Sequence, residues 1–146
     1  MYERILVATD GSEGTGRTVE EALGLAELTG ATLHALYVVD TRDYNTLPES
    51  KWLSLEDALV EQGQEAVEAV RERAATAGVD VETAVTHGLP HEEIVEYADA
   101  HDVDLIVMGT HGRSGLNHFL IGSVAEKVIR SANTPVHVVR VNGEGG

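Results

Sequence analysis

The sequence predicts an α/β fold in which a mainly parallel β-sheet carries helices on both faces. Two observations support this fold class. Apolar segments of strand length alternate with segments of helical periodicity along the chain, a pattern that is typical of βαβ crossover connections. In addition, the segments "ILVA" and "LIVM" are continuously apolar, as expected for central strands of a sheet that is covered on both faces.

The first part of the chain predicts a strand, a helix and a second strand. The strands are expected at 4–9 ("RILVAT") and 32–39 ("TLHALYVV"). Between them, apolar residues recur at helical spacing up to Gly30, a residue type that commonly follows the last turn of a helix. The apolar positions of this helix are Val19, Ala22, Leu23 and Ala26.

The middle of the chain predicts an irregular segment followed by a long helix. Residues 40–53 are polar and contain Pro48. Ser54 is expected to cap the helix, because apolar residues follow it at helical spacing as far as Gly78.

The last part predicts three strands and two helices. A half-exposed strand is expected at 79–85, and Pro90 fits the first position of a third helix. Residues 104–109 ("DLIVMG") predict a buried strand, residues 123–132 a helix, and residues 135–141 ("PVHVVRV") the last strand.

Length and composition indicate one domain. The chain has 146 residues, of which 42% are hydrophobic and 4% aromatic, so that Val, Leu, Ile and Ala must build the core. We expect a single domain over 1–142 and a frayed tail at 143–146. The absence of cysteine excludes disulfides, thiolate chemistry and metal sites with cysteine ligands.

The charge argues against several classes of partner. Asp and Glu number 25 and Lys and Arg 10, which gives a formal net charge of −15. Nucleic-acid binding requires a basic surface, so neither nucleic acid nor an anionic membrane is an expected partner. A solvated acidic surface, as in halophilic proteins, explains the charge; an acidic patch for a basic partner is the alternative. The chain has no apolar run of about 18–20 residues and its first residues have no signal-peptide character, which predicts a cytoplasmic protein.

Four loops are expected where ligands bind in open parallel sheets, beyond the carboxyl ends of the strands. They are 9–16, 38–43, 86–90 and 108–123. The last of them contains four glycines, whose missing Cβ lets backbone amides face an anion, and it leads into a helix N-terminus, which favours negative charge. The glycines are Gly109, Gly112, Gly115 and Gly122.

The side chains of this loop also suit a phosphate. Arg113 can form a bidentate contact with phosphate oxygens, and His111, Asn117 and His118 are further possible donors. A structural interpretation stays open, because Ser123-Val-Ala-Glu126 matches a capping box in which Ser123 caps the helix. A serine hydroxyl can also cap a helix and contact a phosphate at once.

Other phosphate-binding motifs do not fit. No Gly-Lys pair exists in the chain, which excludes the P-loop motif. The segment "GSEGTG" has the wrong spacing for a dinucleotide fingerprint, and Asp10 would repel the pyrophosphate. Asp10 suits a hydroxyl or a metal ion better, or it forms a turn at the start of the first helix.

Gly109-Thr-His-Gly112, followed by nine residues and then Gly122-Ser123, has the pattern G-x2-G-x9-G-[ST]. Together with "ILVATDGSE" at the start and "GSVAEKVIRSANTPVHVV" at the end, it resembles the ATP-binding branch of the universal stress protein (UspA-like) family. The likeness spans almost the whole chain. It implies a Rossmann-like sheet of five parallel strands in the order 3-2-1-4-5, of the adenine nucleotide alpha hydrolase type.

The resemblance also implies a nucleotide site. Asp10 would lie at the ribose and adenine side, Val39 would offer backbone groups to adenine, and the glycine motif would hold the phosphates of ATP, ADP or AMP, often with Mg²⁺ or Mn²⁺. The residues expected to contact the nucleotide are Ala8, Thr9, Asp10, Val39, Met108, Gly109, His111, Gly112, Arg113, Gly122, Ser123 and Val124. Asp40, Arg42 and Tyr44 are expected to border this pocket, without an assigned role.

The family resemblance implies a homodimer that pairs the last strand, Val136 to Val141, across a twofold axis. We expect a nucleotide-dependent stress-response or regulatory module. The alternatives are a slow ATPase that uses the same pocket and an interaction protein that binds no nucleotide. No catalytic residue is identifiable, so enzyme activity stays an open question at this point.

Overall fold

The structure is a computed structural model that describes residues 2–11, 13–43, 47–110 and 122–141. Three of the expected nucleotide contacts, His111, Gly112 and Arg113, lie outside the described residues, as do Tyr44 and the tail predicted at 143–146.

In the described part of the chain, five strands form one sheet in the order β3-β2-β1-β4-β5. The strands are β1 (Arg4–Ala8), β2 (Thr32–Asp40), β3 (Val81–Gly88), β4 (Leu105–Gly109) and β5 (Val136–Val139). All neighbouring strands are parallel. The predicted fold class and the strand order that the resemblance implied are both confirmed. The strand order reverses between β1 and β4, which is where open sheets of this kind bind ligands.

Two helices cover each face of the sheet. The helices are α1 (Glu13–Thr29), α2 (Glu49–Ala77), α3 (Pro90–Ala100) and α4 (Ser123–Ser131), with a short 3₁₀ helix at Thr41–Asp43. Helices α1 and α2 pack on one face with one cluster of buried residues, and α3 and α4 pack on the other face with a second cluster. Among the described residues, no helix is both long and apolar enough to span a bilayer.

Strand β1 shows why both clusters form. Ile5, Leu6 and Val7 are all completely buried, although neighbouring side chains of a strand point to opposite faces. Ile5 and Val7 belong to the cluster under α1 and α2, and Leu6 belongs to the cluster under α3 and α4. The central strand therefore has no solvated face, and its carboxyl end is held firmly at the point where strand order reverses.

Helix α2 begins earlier than the sequence predicts. It starts at Glu49, directly after Pro48, and Ser54 lies within the helix. The backbone of Pro48 is extended (φ −58°, ψ 143°), and its carbonyl accepts hydrogen bonds from the amides of Lys51 (2.8 Å) and Trp52 (3.2 Å). A backbone carbonyl thus starts this helix, so the cap predicted at Ser54 is wrong. The predicted end at Gly78 is confirmed, since Gly78 adopts φ 74° after the last turn.

Strand β3 ends at Gly88, three residues after the predicted end of this strand. It pairs with β2 from Leu33 opposite Val81 to Asp40 opposite Gly88, so the ladder with its longer neighbour sets its end. Its side chains are half-buried or exposed, as predicted. Strand β5 lies at the opposite edge of the sheet.

Candidate functional site

A cavity of about 730 Å³ lies at the carboxyl ends of β1, β2 and β4, where the strand order reverses. This volume suits a small organic ligand. Its lining residues are Ala8, Thr9, Asp10, Thr15, Leu36, Val38, Asp40, Arg42, Leu55, Leu59, Pro90, Ile94, Met108, Gly109, Thr110, Gly122, Ser123, Val124 and Ala125.

The end of β1 contributes a turn that is fixed by threonine side chains. The amide of Thr9 donates to the carbonyl of Leu36 (3.0 Å), and its hydroxyl lies 3.2 Å from the hydroxyl of Thr15. The amide of Gly11 donates to the same Thr9 hydroxyl (3.2 Å). A turn hydrogen bond of the kind considered for Asp10 is thus present at Thr9, and the Asp10 residue lines the cavity.

The other side of the cavity is formed by the residues that flank 111–121. The amide of Thr110 donates to the carbonyl of Val139 (2.9 Å), which continues the sheet one residue beyond β4. The amide of Gly122 donates to the carbonyl of Thr110 (2.6 Å). This bond places the start of α4 directly beside the end of β4, although Thr110 and Gly122 lie twelve residues apart in sequence.

The start of α4 differs from the predicted capping box. Gly122 occupies the N-cap position (φ −61°, ψ 157°) and its carbonyl accepts from the amide of Glu126 (3.0 Å). Ser123 is therefore the first residue of the helix, one position too late to cap it, and within the described residues no side chain makes a cap hydrogen bond there. The capping-box prediction is wrong. The first amides of a helix have no acceptor within the helix itself, and here they border the cavity, where they favour an anion.

The end of β2 contributes Val38 and Asp40, and the 3₁₀ helix that follows it contributes Arg42. Val39, which the resemblance assigned to adenine, is not among the lining residues. Its side chain is buried in the cluster under α1 and α2, whereas Val38 faces the cluster under α3 and α4. Successive side chains of a strand point to opposite faces, so a shift of one position moves the side chain from one side of the sheet to the other. The Val39 backbone contact stays a prediction.

Apolar side chains from two helices complete the cavity. Leu55 and Leu59 come from α2, and Pro90 and Ile94 from the first turns of α3. Sequence reasoning did not assign Leu55, Leu59 and Ile94 to the site, whereas Pro90 and Thr15 lie within two of the loops expected to bind ligands, 86–90 and 9–16. The available signal was the start of α3 next to the 86–90 loop, since first-turn residues of a helix that follows a parallel strand lie at the ligand-binding edge.

Eight of the twelve expected contacts therefore line one cavity. They are Ala8, Thr9, Asp10, Met108, Gly109, Gly122, Ser123 and Val124. Asp10 and Asp40 are the carboxylates of the described lining, and Arg42 is its guanidinium. Within the described ranges, no group of three or more His, Asp or Glu residues could bind a metal ion.

Residues 1–140 match the model of the Universal stress protein family. The chain belongs to this family. Universal stress protein MJ0531 of Methanocaldococcus jannaschii is 42% identical over 141 residues, which cover 96% of this chain and 83% of the relative. The solved structure of protein MJ0577, from the same organism, matches with a TM-score of 0.85 and 34% identity over 95% of this chain and 96% of the other.

Two further universal stress protein structures contain nucleotides. One, in complex with cAMP, has a TM-score of 0.75 and 28% identity and covers 97% of this chain and 99% of its own. The other, from Archaeoglobus fulgidus in complex with dAMP, has a TM-score of 0.65 and 27% identity and covers 94% of this chain and 97% of its own. Both ligands are adenine nucleotides.

Proposed function

We propose that this universal stress protein binds ATP, or the related ADP or AMP, in the cavity between β1, β2, β4 and the start of α4, and that it acts as a nucleotide-dependent regulatory protein of the cytoplasm. The observation that carries the proposal is the position of the α4 N-terminus. Its first residues, Ser123 and Val124, border a cavity that also has apolar walls, among them Leu36, Leu59 and Ile94. A nucleotide has the matching polarity, with anionic phosphates at one end and a flat base at the other.

The helix N-terminus supplies part of the phosphate site. Backbone amides in the first turn of α4 have no acceptor within the helix, and the helix dipole adds a favourable potential for negative charge. The amide of Gly122 already donates to Thr110, which leaves the amides of Ser123 and Val124 as the donors of choice. Gly112 and Arg113 would complete the phosphate site, with Mg²⁺ or Mn²⁺ held by the phosphates.

The ribose would lie near the middle of the cavity. Asp10 follows β1 and Gly109 ends β4, and these two strands are neighbours. A carboxylate accepts hydrogen bonds from hydroxyl groups, so Asp10 suits the ribose hydroxyls better than it suits a bare phosphate. The complexes of related proteins with cAMP and dAMP support this choice of ligand class.

Regulation would act through the loop and the edge strand. A bound phosphate gives residues 110–122 additional contacts, and the same loop leads from β4, which pairs with β5. Strand β5 lies at a sheet edge, where a second copy of the chain can pair with it. Nucleotide occupancy would then favour one arrangement of a homodimer. The net charge of −15 argues against nucleic acid as a partner.

The test is to identify and then titrate the ligand. Mass spectrometry of small molecules released from the purified, denatured protein should find an adenine nucleotide. Calorimetry of nucleotide-depleted protein with ATP and Mg²⁺ should show one site per chain. If neither experiment finds binding, the proposal is wrong. Measurement of phosphate release by the same sample decides the alternative of a slow ATPase, since a binding protein without catalysis leaves ATP intact.

A further inference from the structure

Two side chains at the end of β2 form a fixed unit in the cavity wall. The guanidinium of Arg42 donates to Asp40 through two parallel hydrogen bonds, from Nε to Oδ1 (3.0 Å) and from Nη2 to Oδ2 (2.7 Å). The backbone amide of Arg42 also donates to Oδ1 (3.0 Å). Two such parallel bonds fix the plane of a guanidinium as well as its position.

This unit lies at the end of the cavity that is far from α4. Strand β2 is separated from β4 by β1, which corresponds to about 9–10 Å at the usual spacing of neighbouring strands. Leu36 and Val38 from β2 and Pro90 and Ile94 from α3 are apolar residues that line the same cavity. The cavity therefore combines the α4 N-terminus with Arg42, which follows a strand two positions away in the sheet, and with apolar wall against which a base can pack.

We propose that Arg42, held in plane by Asp40, packs its guanidinium face against the base of the bound nucleotide and thereby selects purines over pyrimidines; this inference rests on the proposed nucleotide site. The charge of Arg42 is balanced by a carboxylate oxygen 2.7 Å away, and the residue lies two strands from the helix N-terminus, so a phosphate is not its natural ligand. A planar guanidinium packs well on an aromatic ring. The two fused rings of a purine offer more contact area than the single ring of a pyrimidine.

The exposure of Arg42 and Asp40 allows the Arg42 guanidinium to contact a ligand. The side chain of Arg42 is 57% exposed and that of Asp40 is 19% exposed. The guanidinium can therefore reach the cavity mouth while its anchor stays in the wall. Burial of the guanidinium face under a base would remove it from water, which strengthens a cation–π contact.

The experiment measures calorimetric affinities for ATP, UTP and inorganic tripolyphosphate, each with Mg²⁺, for the wild type and Arg42→Gln. We expect the variant to bind ATP about 2- to 30-fold more weakly, which is the range of cation–π contacts. We expect its affinity for tripolyphosphate to be unchanged and its preference for ATP over UTP to fall. Arg71→Gln is the matched control, because Arg71 also forms an exposed ion pair, with Glu68 (3.3 Å), but does not line the cavity.

Other outcomes of this experiment would contradict the inference, and each outcome would indicate a different cause. Equal loss of ATP and tripolyphosphate affinity would assign Arg42 to the phosphates or to folding and would overturn the base contact. Unchanged ATP affinity, or an unchanged ratio of ATP to UTP, would overturn it while leaving the nucleotide site intact. A wild type that binds no ATP would overturn both the proposed function and this inference. The unliganded Arg42→Gln protein should melt at the wild-type temperature, since exposed ion pairs contribute little to stability.

Discussion

The Nδ1 atom of His34 lies 2.7 Å from the hydroxyl oxygen of Tyr97, and this contact joins β2 to α3 beneath the sheet. His34 is buried, and the ring of Tyr97 stacks on that of His101 at a centroid distance of 3.8 Å. Burial lowers the pKa of His34 below its ordinary value of 6.5; Glu82 opposes this shift, whereas His101 and Arg4 add to it. Burial, followed by the charge of Glu82, raises the pKa of Tyr97. Both shifts favour the neutral forms of these two side chains.

The first prediction is a loss of stability in mild acid that depends on His34. Because the folded-state pKa is lowered, the unfolded chain binds a proton first as the pH falls below 6.5, and the free energy of unfolding then decreases by at most about 1.4 kcal/mol per pH unit for one such group. Above this window both states are neutral at His34 and the effect is absent. Urea unfolding between about pH 5 and pH 8 measures it.

His34→Gln should flatten the acid side of the stability profile relative to the wild type. Identical profiles for His34→Gln and the wild type would show that His34 does not carry the effect.

The sequence predicted the layers of the fold well because they depend on periodicity and on local turn residues. The helix ends at Gly30 and Gly78 and the start of α3 at Pro90 agree with the structure, since each depends on the backbone preference of a single residue. The glycine spacing is also a local property of the chain, and it correctly placed the start of α4 beside the cavity.

The remaining differences have physical causes that lie outside local sequence. The first hydrogen bonds of α2 are accepted by the backbone carbonyl of Pro48, and no pattern of side chains in the sequence indicates this. Val38, and not Val39, turns its side chain toward the cavity, and a strand that is apolar on both faces gives no sequence signal for this choice; the backbone contact predicted for Val39 is not affected by it. The His34–Tyr97 contact joins residues 63 positions apart, so only the tertiary fold reveals it.

The second prediction concerns the close approach of α2 to β2. A Cβ atom added at Gly63 would lie 2.5 Å from Cδ1 of Tyr37, a residue that is itself buried. Gly63→Ala should therefore destabilise the protein through overpacking by about 1–3 kcal/mol, less the gain of about 1 kcal/mol from the better helix propensity of alanine. Thermal unfolding measures the sum.

Gly24→Ala is its matched control. Gly24 lies within α1, and a Cβ atom there meets nothing within 4 Å, so that only the propensity gain applies. The difference between the two alanine variants isolates the overpacking contribution. Equal stability of both would mean that Tyr37 can move aside without cost.

The third prediction tests the dimer through the edge of β5. The carbonyls of Pro135 and Val139 accept hydrogen bonds from β4 and Thr110, and strand groups alternate in direction, so the backbone N–H of Val138 points away from β4. Val138→Pro removes this outward donor and leaves the β4–β5 pairing in place. Light scattering at micromolar concentration should show a dimer for the wild type and a monomer for the variant.

His137→Pro provides the comparison for the dimer experiment. Its amide lies on the side that faces β4, so this variant should lose stability rather than only association. A wild type that is monomeric at this concentration, or a Val138→Pro variant that is still dimeric and folded, would exclude pairing through this edge.

The fourth prediction uses the only tryptophan of the chain, Trp52. Trp52 lies three residues before Leu55 and seven before Leu59 on α2, hence on the same helix face as these two cavity residues. Because its side chain is about one third exposed (36%), a ligand that orders the first turns of α2 should change its emission. Titration with ATP should give a saturating fluorescence change, and the dissociation constant from this titration should equal the one from calorimetry.

Trp52→Phe should abolish the fluorescence change without abolishing ATP binding. Constant Trp52 emission while calorimetry shows binding would mean that α2 does not respond to the ligand.

The fifth prediction separates stability from binding at the start of α4. Ser123 is the first residue of this helix, where a carboxylate stabilises the helix dipole by about 0.3–1 kcal/mol. The same carboxylate would repel phosphate oxygens bound at the helix N-terminus. Ser123→Asp should therefore unfold at the same or a higher temperature than the wild type and bind ATP at least about tenfold more weakly, a difference of about 1.4 kcal/mol.

Ser131→Asp, at the other end of α4, adds the same charge where the dipole disfavours it, so it should lose stability and keep ATP affinity. Opposite movement of stability and affinity in this pair cannot arise from misfolding, because a misfolded variant would lose both. Retained ATP affinity in Ser123→Asp would mean that the phosphates lie away from the α4 N-terminus, and the nucleotide would then need a different orientation in the cavity.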